Sequence, residues 1–194
     1  MAAPTDSVEL VGDEVAGNVA RAALFAAVMG AFAYVSFPNP VSPNPVTLQV
    51  LGVFLAGIML GPAWGAAAMA LYLVAGAVGA PVFSGGGAGL AYLIGHFTLG
   101  YLWSYPIAAF VVGAVVHGGL ELRDYGRASV GRLVGAMALG TVVIYALGTV
   151  GFAVVQDVGL VEAFLVSAVA FIPAEALKIA AAVGIVRSDA VAAA

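Results

Sequence analysis

Residues 159–187 are almost continuously apolar, and this run constrains the fold more than any other part of the sequence. As one helix, its 29 residues would be about 43 Å long, which exceeds the ~30 Å hydrocarbon core of a bilayer. Similar apolar stretches, separated by proline- and glycine-rich connections, fill most of the chain. Hydrophobic residues occupy 63% of the 194 positions and charged residues only 8%, whereas a soluble domain carries roughly a quarter charged residues. The sequence therefore predicts an all-α integral membrane protein.

Six apolar segments are expected to cross the bilayer: 20–37, 47–60, 63–78, 90–117, 133–156 and a last one from Pro173. Pro173 is expected to divide the long apolar run into a short helix at 160–170 near the membrane face and a spanning helix, because proline suits the first turn of a helix. We therefore predict a polar, acidic tail at 1–18, a six-helix membrane domain at 19–189 and a short tail at 190–194.

The arginines predict the orientation of these helices. With six spans and a cytoplasmic N-terminus, all five arginines fall on the cytoplasmic side, as the positive-inside rule requires: Arg21, Arg123, Arg127, Arg132 and Arg187. Both termini are then cytoplasmic, and the outer face receives the proline-rich loop at 38–45, the glycine-rich loop at 79–89 and the connection at 157–172. We expect the protein in the plasma membrane.

The distribution of charge excludes several classes of function. Six basic and ten acidic residues give a net charge of −4, and no basic cluster is present that could neutralise a row of phosphates. We therefore expect no nucleic-acid partner. Cysteine is absent, which excludes disulfides and thiolate chemistry. His96 and His117 are expected far apart, so we expect no metal site and no cofactor.

Glu175 and Lys178, the only lysine, lie three residues apart within the last apolar segment. Residues at this spacing share one face of a helix, and an unpaired charge in a membrane costs roughly 2.5–3.5 kcal/mol on insertion scales. Two interpretations remain open, namely an ion pair that ties two helices together and a functional site. Because the pair would lie near the outer end of the last helix, beside both irregular loops, we predict a binding pocket there.

The surroundings of this pocket also allow two interpretations each. The glycine-rich loop lacks the Gly-Lys-Ser/Thr of a phosphate-binding loop, and is either a flexible connector or a backbone that closes over a small ligand. The aromatic residues nearby are either flat walls of a pocket or ordinary core and interfacial residues: Phe83, Tyr92, Tyr101 and Trp103. His96 is expected to be a hydrogen-bonded interior histidine.

Small residues recur at every fourth position of the first helix in two parallel stripes: Ala22, Ala26 and Gly30, and Ala23, Ala27 and Ala31. Such stripes let another helix approach closely. In a chain this rich in alanine the spacing is also compatible with chance.

Five motifs resemble those of the BioY family, the biotin-binding S components of energy-coupling factor (ECF) transporters. They occur in the family's order between residues 45 and 178: Pro45-Val46-Thr47-Leu48-Gln49, Leu60-Gly61-Pro62 with Gly65, Pro81-Val82-Phe83-Ser84-Gly85-Gly86, Thr98-Leu99-Gly100-Tyr101-Leu102 and Phe171-Ile172-Pro173-Ala174-Glu175-Ala176-Leu177-Lys178. The resemblance implies a six-helix fold that captures biotin with high affinity at the outer face and docks to a membrane coupling subunit driven by two ATPase subunits. Biotin, these subunits and the lipid bilayer are the expected partners.

The resemblance also implies roles for individual residues. Glu175 and Lys178 match the acidic residue and the lysine that contact biotin, with Glu175 accepting a ureido N–H and Lys178 donating to the ureido carbonyl or the carboxylate. The other expected contacts come from both loops and the fourth helix: Thr47, Gln49, Phe83, Gly85, Gly86, Tyr92, Thr98 and Tyr101. Docking to the coupling subunit is expected through the first helix: Ala22, Ala23, Ala26, Ala27 and Gly30.

The chain departs from the family pattern at three places. Glu175 stands where the family usually has aspartate, and His96-Phe97-Thr98-Leu99-Gly100-Tyr101 replaces a glycine-proline-threonine-glycine-glycine-tyrosine segment. Residues 82–110 contain no arginine or lysine, so Lys178 or neutral donors must hold the valerate carboxylate.

Other functions remain open at this point. They are an S component for another vitamin, a stand-alone biotin facilitator or secondary transporter, and a membrane enzyme or sensor that uses Glu175 as a base. Uptake without ATPase partners would indicate the stand-alone transporter, and turnover of the bound compound would indicate the enzyme. The sequence shows no ATPase motif and no nucleophile–base pair, so we expect a transporter subunit and not an enzyme.

Overall fold

The protein is predominantly helical, as its composition predicts. The structure, a computed structural model, describes residues 12–42 and 44–188. Within these residues it contains seven α-helices: α1 (Asp13–Tyr34), α2 (Gln49–Ala77), α3 (Leu90–Gly95), α4 (Leu99–His117), α5 (Val130–Gln156), α6 (Leu160–Ser167) and α7 (Ile172–Val186). Short 3-10 turns lie at Ser84–Gly86, Tyr125–Arg127 and Val169–Phe171. Five helical stretches of this described part are long and apolar enough to cross a membrane, with α6 and α7 taken as one stretch.

The proline-rich loop connects two short strands that the sequence analysis did not predict. Strand β1 (Ser36–Phe37) pairs antiparallel with β2 (Val46–Thr47), with Ser36 opposite Thr47. The strand pairing closes the base of the loop, and α2 consequently begins at Gln49 and not at Thr47.

The helix α2 is a hairpin rather than a straight rod. Gly61 has φ 76° and ψ −179°, a conformation that glycine adopts because it has no Cβ, and Pro62 begins a new helical turn. Gln49 Nε2 donates to the Tyr72 hydroxyl at 2.8 Å although the two residues are 23 positions apart, and a straight helix would separate them by about 35 Å. The halves 49–60 and 62–77 therefore run antiparallel, which confirms the predicted turn at Gly61-Pro62.

The first helix begins earlier than predicted. Helix α1 starts at Asp13 and not at residue 20, within the segment predicted as a tail at 1–18; Asp13 and Glu14 occupy its first turn, where the helix dipole favours carboxylates. Residues 1–11 of that tail, and the tail at 190–194, lie outside the described residues.

The helix predicted at 90–117 is divided into α3 and α4 by an interruption at 96–98. His96 has extended backbone, and its Nδ1 lies 2.8 Å from Thr98 Oγ1 and accepts from the Thr98 N–H at 3.3 Å. These local side-chain bonds replace the helical ones. They confirm His96 as a hydrogen-bonded, partly buried histidine.

Helices α2, α4 and α5 pack with close backbone contact at glycine. A Cβ on Gly100 of α4 would lie 2.1 Å from the Leu147 carbonyl oxygen of α5, and one on Gly57 of α2 would lie 2.5 Å from the Ala109 carbonyl oxygen of α4. Any larger residue would push these helices apart, because their backbones are already in contact.

Helix α1 uses one of its two small-residue stripes for this packing. Ala22, Ala26 and Gly30 are buried within the chain, whereas Ala23 and Ala27 are exposed. The first stripe therefore packs within the chain and the second one is exposed, while docking to a coupling subunit stays a prediction.

The irregular segments gather at one end of the helices and most arginines at the other. At the first end, the Tyr34 hydroxyl donates to the Pro81 carbonyl oxygen, and Asn39 Nδ2 donates to the Ala170 carbonyl oxygen at 3.2 Å. These bonds confirm that the three loops converge. At the other end, the Arg187 guanidinium donates to the Gly126 and Ala128 carbonyl oxygens, and Arg132 Nε donates to the Val115 carbonyl oxygen at 2.7 Å.

Candidate ligand-binding site

A small cavity lies at the end of the molecule where the loops converge. Its volume is about 60 Å³, which is room for only a few water molecules. The proline-rich loop, the start of α2, the glycine-rich loop, α4, α5 and α7 supply its walls: Asn44, Pro45, Thr47, Gln49, Val50, Ser84, Thr98, Tyr101, Leu102, Tyr105, Tyr145, Phe171, Glu175 and Lys178.

The charged pair enters the cavity from the first two turns of α7. This helix begins at Ile172, with Pro173 as its second residue, so the predicted helix start is confirmed to within one residue. Glu175 and Lys178 are 3% and 6% exposed, and Lys178 Nζ lies 2.7 Å from Glu175 Oε1. The predicted shared face is therefore confirmed, and the interpretation as an ion pair between two helices is wrong because both charges belong to α7.

The bond between helices comes instead from Tyr145 of α5. Its hydroxyl donates to Glu175 Oε1 at 2.8 Å, so one carboxylate oxygen accepts from both Tyr145 and Lys178. The other oxygen, Oε2, is buried and has no hydrogen-bond partner in the described part of the chain. The carboxylate is thus held in place through Oε1, while Oε2 receives no donor from the residues that the structure describes.

A chain of hydrogen bonds connects the proline-rich loop to the glycine-rich loop beside the cavity. Thr47 Oγ1 donates to Gln49 Oε1 at 2.9 Å, Gln49 Nε2 donates to the Tyr72 hydroxyl at 2.8 Å, and that hydroxyl donates to the Val82 carbonyl oxygen at 3.1 Å. Because the Gln49 amide accepts through Oε1 from Thr47 and donates through Nε2 to Tyr72, its orientation is determined by its neighbours.

The structure brings most of the predicted site residues to this cavity. The lining includes six of them: Thr47, Gln49, Thr98, Tyr101, Glu175 and Lys178. Thr98 is positioned by His96, and the Tyr101 hydroxyl donates to the Ser167 carbonyl oxygen.

Four predicted residues do not line the cavity: Phe83, Gly85, Gly86 and Tyr92. Phe83 is fully buried, in edge contact with Tyr72 and stacked on Tyr92 at 5.2 Å between ring centres. A Cβ on Gly76 would lie 2.0 Å from the Phe83 ring. Phe83 and Tyr92 therefore anchor the glycine-rich loop behind the cavity, contrary to the expectation that they form its walls. Ser84 is the residue of this loop that lines the cavity.

Sequence reasoning missed several lining residues, among them Asn44, Tyr105, Tyr145 and Phe171. A tyrosine within a membrane helix needs a partner for its hydroxyl, so Tyr145 carried a signal that could have identified it. Asn44 carried no such signal, because an asparagine between two prolines is typical of an exposed loop. Its side chain is nevertheless buried, and its Oδ1 is the other described buried side-chain atom without a partner.

A larger hollow of about 530 Å³ lies on the other side of Tyr145, between α5, α6 and α7. Apart from Tyr145 it offers Thr141 and Thr149 as polar side chains and no charge; the rest of its lining is apolar, including Phe164 and Ile172. It suits hydrocarbon rather than a polar ligand, so the charged cavity is the candidate site.

The fold and the site define a class of protein, namely a multi-pass helical membrane protein with a small cavity at one end that a buried ion pair lines. The same fold occurs in the solved structure of the S-component for biotin from an ECF-type ABC transporter, with a TM-score of 0.80 over 92% of this chain and 93% of that one, at 23% identity.

The chain belongs to the BioY family, whose model matches residues 5–193. The probable biotin transporter BioY of Pyrococcus horikoshii is 37% identical over 168 residues, which are 87% of this chain and 93% of that protein. The biotin transporter BioY of Rhizobium etli is 38% identical over 164 residues, covering 80% and 83% of the two chains. Among the residues that the structure describes, no group of His, Cys, Asp or Glu could hold a metal ion.

Proposed function

We propose that this chain is the biotin-binding S component of an ECF transporter and captures biotin for uptake. Membership of the BioY family, relatives named as biotin transporters and the fold of a biotin S-component support the proposal. The observation that carries it is the buried Glu175–Lys178 pair beside a cavity, because ionisable groups in a membrane are costly and are retained where they bind or transport a ligand.

Each charged residue has unused hydrogen-bonding capacity that suits biotin. Glu175 Oε2 can accept a ureido N–H, since Oε1 already accepts from Tyr145 and Lys178. Lys178 Nζ has three N–H donors, so it can also donate to the ureido carbonyl or to the valerate carboxylate. Lys178 is the one cation among the described residues that line the cavity, and the Ser84 hydroxyl is a neutral donor for the same carboxylate.

We infer that the loops must move apart for biotin to enter. A cavity of about 60 Å³ is far smaller than the several hundred Å³ of sites for ligands of this size. The proline-rich and glycine-rich loops cover it, and the covering is held by hydrogen bonds such as that from Asn39 to Ala170. Gly85 and Gly86 have φ of 69° and 79°, and they shape the second loop without lining the cavity.

We propose that six segments cross the plasma membrane, with both termini in the cytoplasm and the cavity facing outside. The segments are α1, the two halves of α2, α4, α5 and α7, with α6 at the membrane surface. The hairpin at Gly61 supports the separate spans of α2. The arginines at the end opposite the cavity support the orientation, since basic residues accumulate on the cytoplasmic side.

We propose that a membrane coupling subunit and two ATPase subunits supply the energy for release. The docking face for the coupling subunit is the exposed stripe of α1 at Ala23 and Ala27, because small residues let a partner helix approach closely. The neighbouring stripe is already occupied by contacts within the chain.

Calorimetric titration of the detergent-purified chain with biotin, thiamine and riboflavin tests the specificity. We expect tight binding of biotin alone, and tight binding of either other vitamin in its place would contradict the proposal. Biotin uptake by cells that produce the chain with and without the coupling and ATPase subunits tests the mode of transport. Undiminished uptake without those subunits would indicate a stand-alone transporter.

A further inference from the structure

Two buried side-chain acceptors in the described part of the chain lack a hydrogen-bond partner, Glu175 Oε2 and Asn44 Oδ1, and both side chains line the same cavity. Buried acceptors in native proteins are nearly always paired. Two such acceptors at one cavity can therefore receive donors from a molecule bound there.

The surroundings hold both acceptors in position. Glu175 is fixed through Oε1 by Tyr145 and Lys178. Asn44 precedes Pro45, which restricts the backbone of the residue before it, and its backbone N–H donates to Ser42 Oγ at 3.1 Å. The two acceptors therefore reach one cavity from two different elements, the proline-rich loop and α7.

We propose that Asn44 is a specificity-determining residue that accepts one N–H of the ligand while Glu175 accepts a second. This inference rests on the proposed function, because the ureido ring of biotin carries two N–H groups, one on each side of its carbonyl. Lys178 Nζ, bonded to Glu175 Oε1 at 2.7 Å, remains available to that carbonyl. The urea is then recognised at all three of its polar groups.

Because Asn44 lies in the proline-rich loop, its hydrogen bond to the ligand would also link that loop to the ligand. Asn44 belongs to the loop that covers the cavity, and Asn39 already connects that loop to Ala170, just before α7. A ligand held by both Asn44 and Glu175 connects the proline-rich loop to α7, in addition to the bond between Asn39 and Ala170. A ligand with a single N–H would make only one of these two bonds and would not connect the loop to α7.

Titration of the full-length purified chain with biotin and its two N-methylated analogues, each lacking one ureido N–H, tests the proposal. Asn44→Leu should bind biotin at least about tenfold more weakly, since a buried hydrogen bond is lost. One analogue lacks the N–H that faces Asn44. The unsubstituted chain should bind this analogue about tenfold more weakly than biotin, and Asn44→Leu should not weaken its binding further. The other analogue lacks the N–H that faces Glu175, and for it the loss caused by the methyl group and the loss caused by Asn44→Leu should add.

Two further variants separate this role from general disturbance of the loop. Asn44→Asp keeps the acceptor oxygen and removes the amide donor, and should retain more biotin affinity than Asn44→Leu. Val41→Ala changes an exposed residue of the same loop and should bind biotin normally. Unchanged biotin affinity of Asn44→Leu, or an equal loss for biotin and both analogues, would overturn the role of Asn44 alone. Failure of the unsubstituted chain to bind biotin would overturn the proposed function, and this inference with it.

Discussion

Tyr145 and Lys178 donate to the same carboxylate oxygen of Glu175, at 2.8 and 2.7 Å. Burial of two charges is costly, and their attraction offsets that cost only where additional hydrogen bonds satisfy them. Tyr145 supplies such a bond from the facing helix. At the scale of single residues, the site is therefore a carboxylate positioned by two donors and left with one free oxygen.

Removal of the lysine should affect both stability and binding. Lys178→Met leaves the Glu175 carboxylate buried without a cation, which should lower the free energy of unfolding by about 3–5 kcal/mol. If Lys178 also contacts biotin, the free energy of binding should weaken by about 1.5–3 kcal/mol. Thermal unfolding in detergent and calorimetric titration measure the two effects.

The double variant Glu175→Gln with Lys178→Met is the control, because it removes both charges together. It should recover much of the stability without recovering the affinity. A single Lys178→Met variant that unfolds more easily but binds biotin normally would exclude the lysine from the ligand contacts.

Tyr145→Phe should change binding more than folding. The ring stays while the hydroxyl is lost, so Glu175 Oε1 keeps its bond from Lys178 and the stability should fall by only about 1 kcal/mol. The carboxylate loses one of the two bonds that orient it, and we expect a clear loss of biotin affinity in the same titration. Tyr125→Phe, at the opposite end of the molecule, is the matched control and should bind as the unsubstituted chain does.

At the scale of helices, glycine determines how closely the elements of the site approach. A Cβ on Gly100 would lie 2.1 Å from a backbone oxygen of α5, whereas a Cβ on Gly135 of α5 has no neighbour within 4 Å. Both residues are helical, so alanine raises the helix propensity at each position. Only the variant at Gly100 also introduces a steric clash, so the difference in stability between the two variants measures the effect of packing.

Gly100→Ala should therefore destabilise the protein by about 1–3 kcal/mol, the usual cost of overpacking. Gly135→Ala should leave its stability unchanged or raise it by about 0.5–1 kcal/mol, because alanine is the better helix former. The midpoint of thermal unfolding in one detergent compares the two variants. Equal midpoints would show that α4 and α5 tolerate a wider separation than their contact at Gly100 suggests.

The proline-rich loop is held over the cavity by a hydrogen bond that can be removed selectively. Asn39 Nδ2 donates to Ala170, while Asn39 Oδ1 accepts from the Val41 N–H at 3.2 Å. Asn39→Asp keeps the acceptor for the Val41 N–H. It replaces the bond to Ala170 by repulsion between a carboxylate oxygen and the Ala170 carbonyl oxygen. The bond from Asn39 to Ala170 holds the loop over the cavity, so its loss should make opening of the loop easier. Stopped-flow measurements should then show faster association and faster dissociation of biotin. We expect each rate to rise roughly fivefold, for a bond worth about 1 kcal/mol. Unaltered rates would place the entrance elsewhere.

At the scale of the whole molecule, the cavity and most of the arginines occupy opposite ends, which makes the orientation testable. The chain has no cysteine, so single-cysteine variants carry one label site. Val41→Cys, exposed at the cavity end, should react with an impermeant maleimide in intact cells, and Leu122→Cys, exposed at the arginine end, only after permeabilisation. The reverse pattern would contradict an outward-facing site.

Much of the architecture was determined by the sequence itself. Low charge and long apolar runs require a membrane environment, Gly61-Pro62 and Pro173 determine where helices turn or begin, and the spacing of Glu175 and Lys178 places both on one face. These features depend on hydropathy and on backbone sterics, which are properties of a residue and its immediate neighbours.

Only the tertiary structure decided which side chains meet. Tyr145 reaches Glu175 across 30 positions, Asn44 is buried although its neighbours indicate an exposed loop, Phe83 turns away from the cavity, and Ala22 rather than Ala23 faces the core. Burial and hydrogen-bond pairing depend on residues distant in the chain, because a partner comes within reach only after the helices have packed.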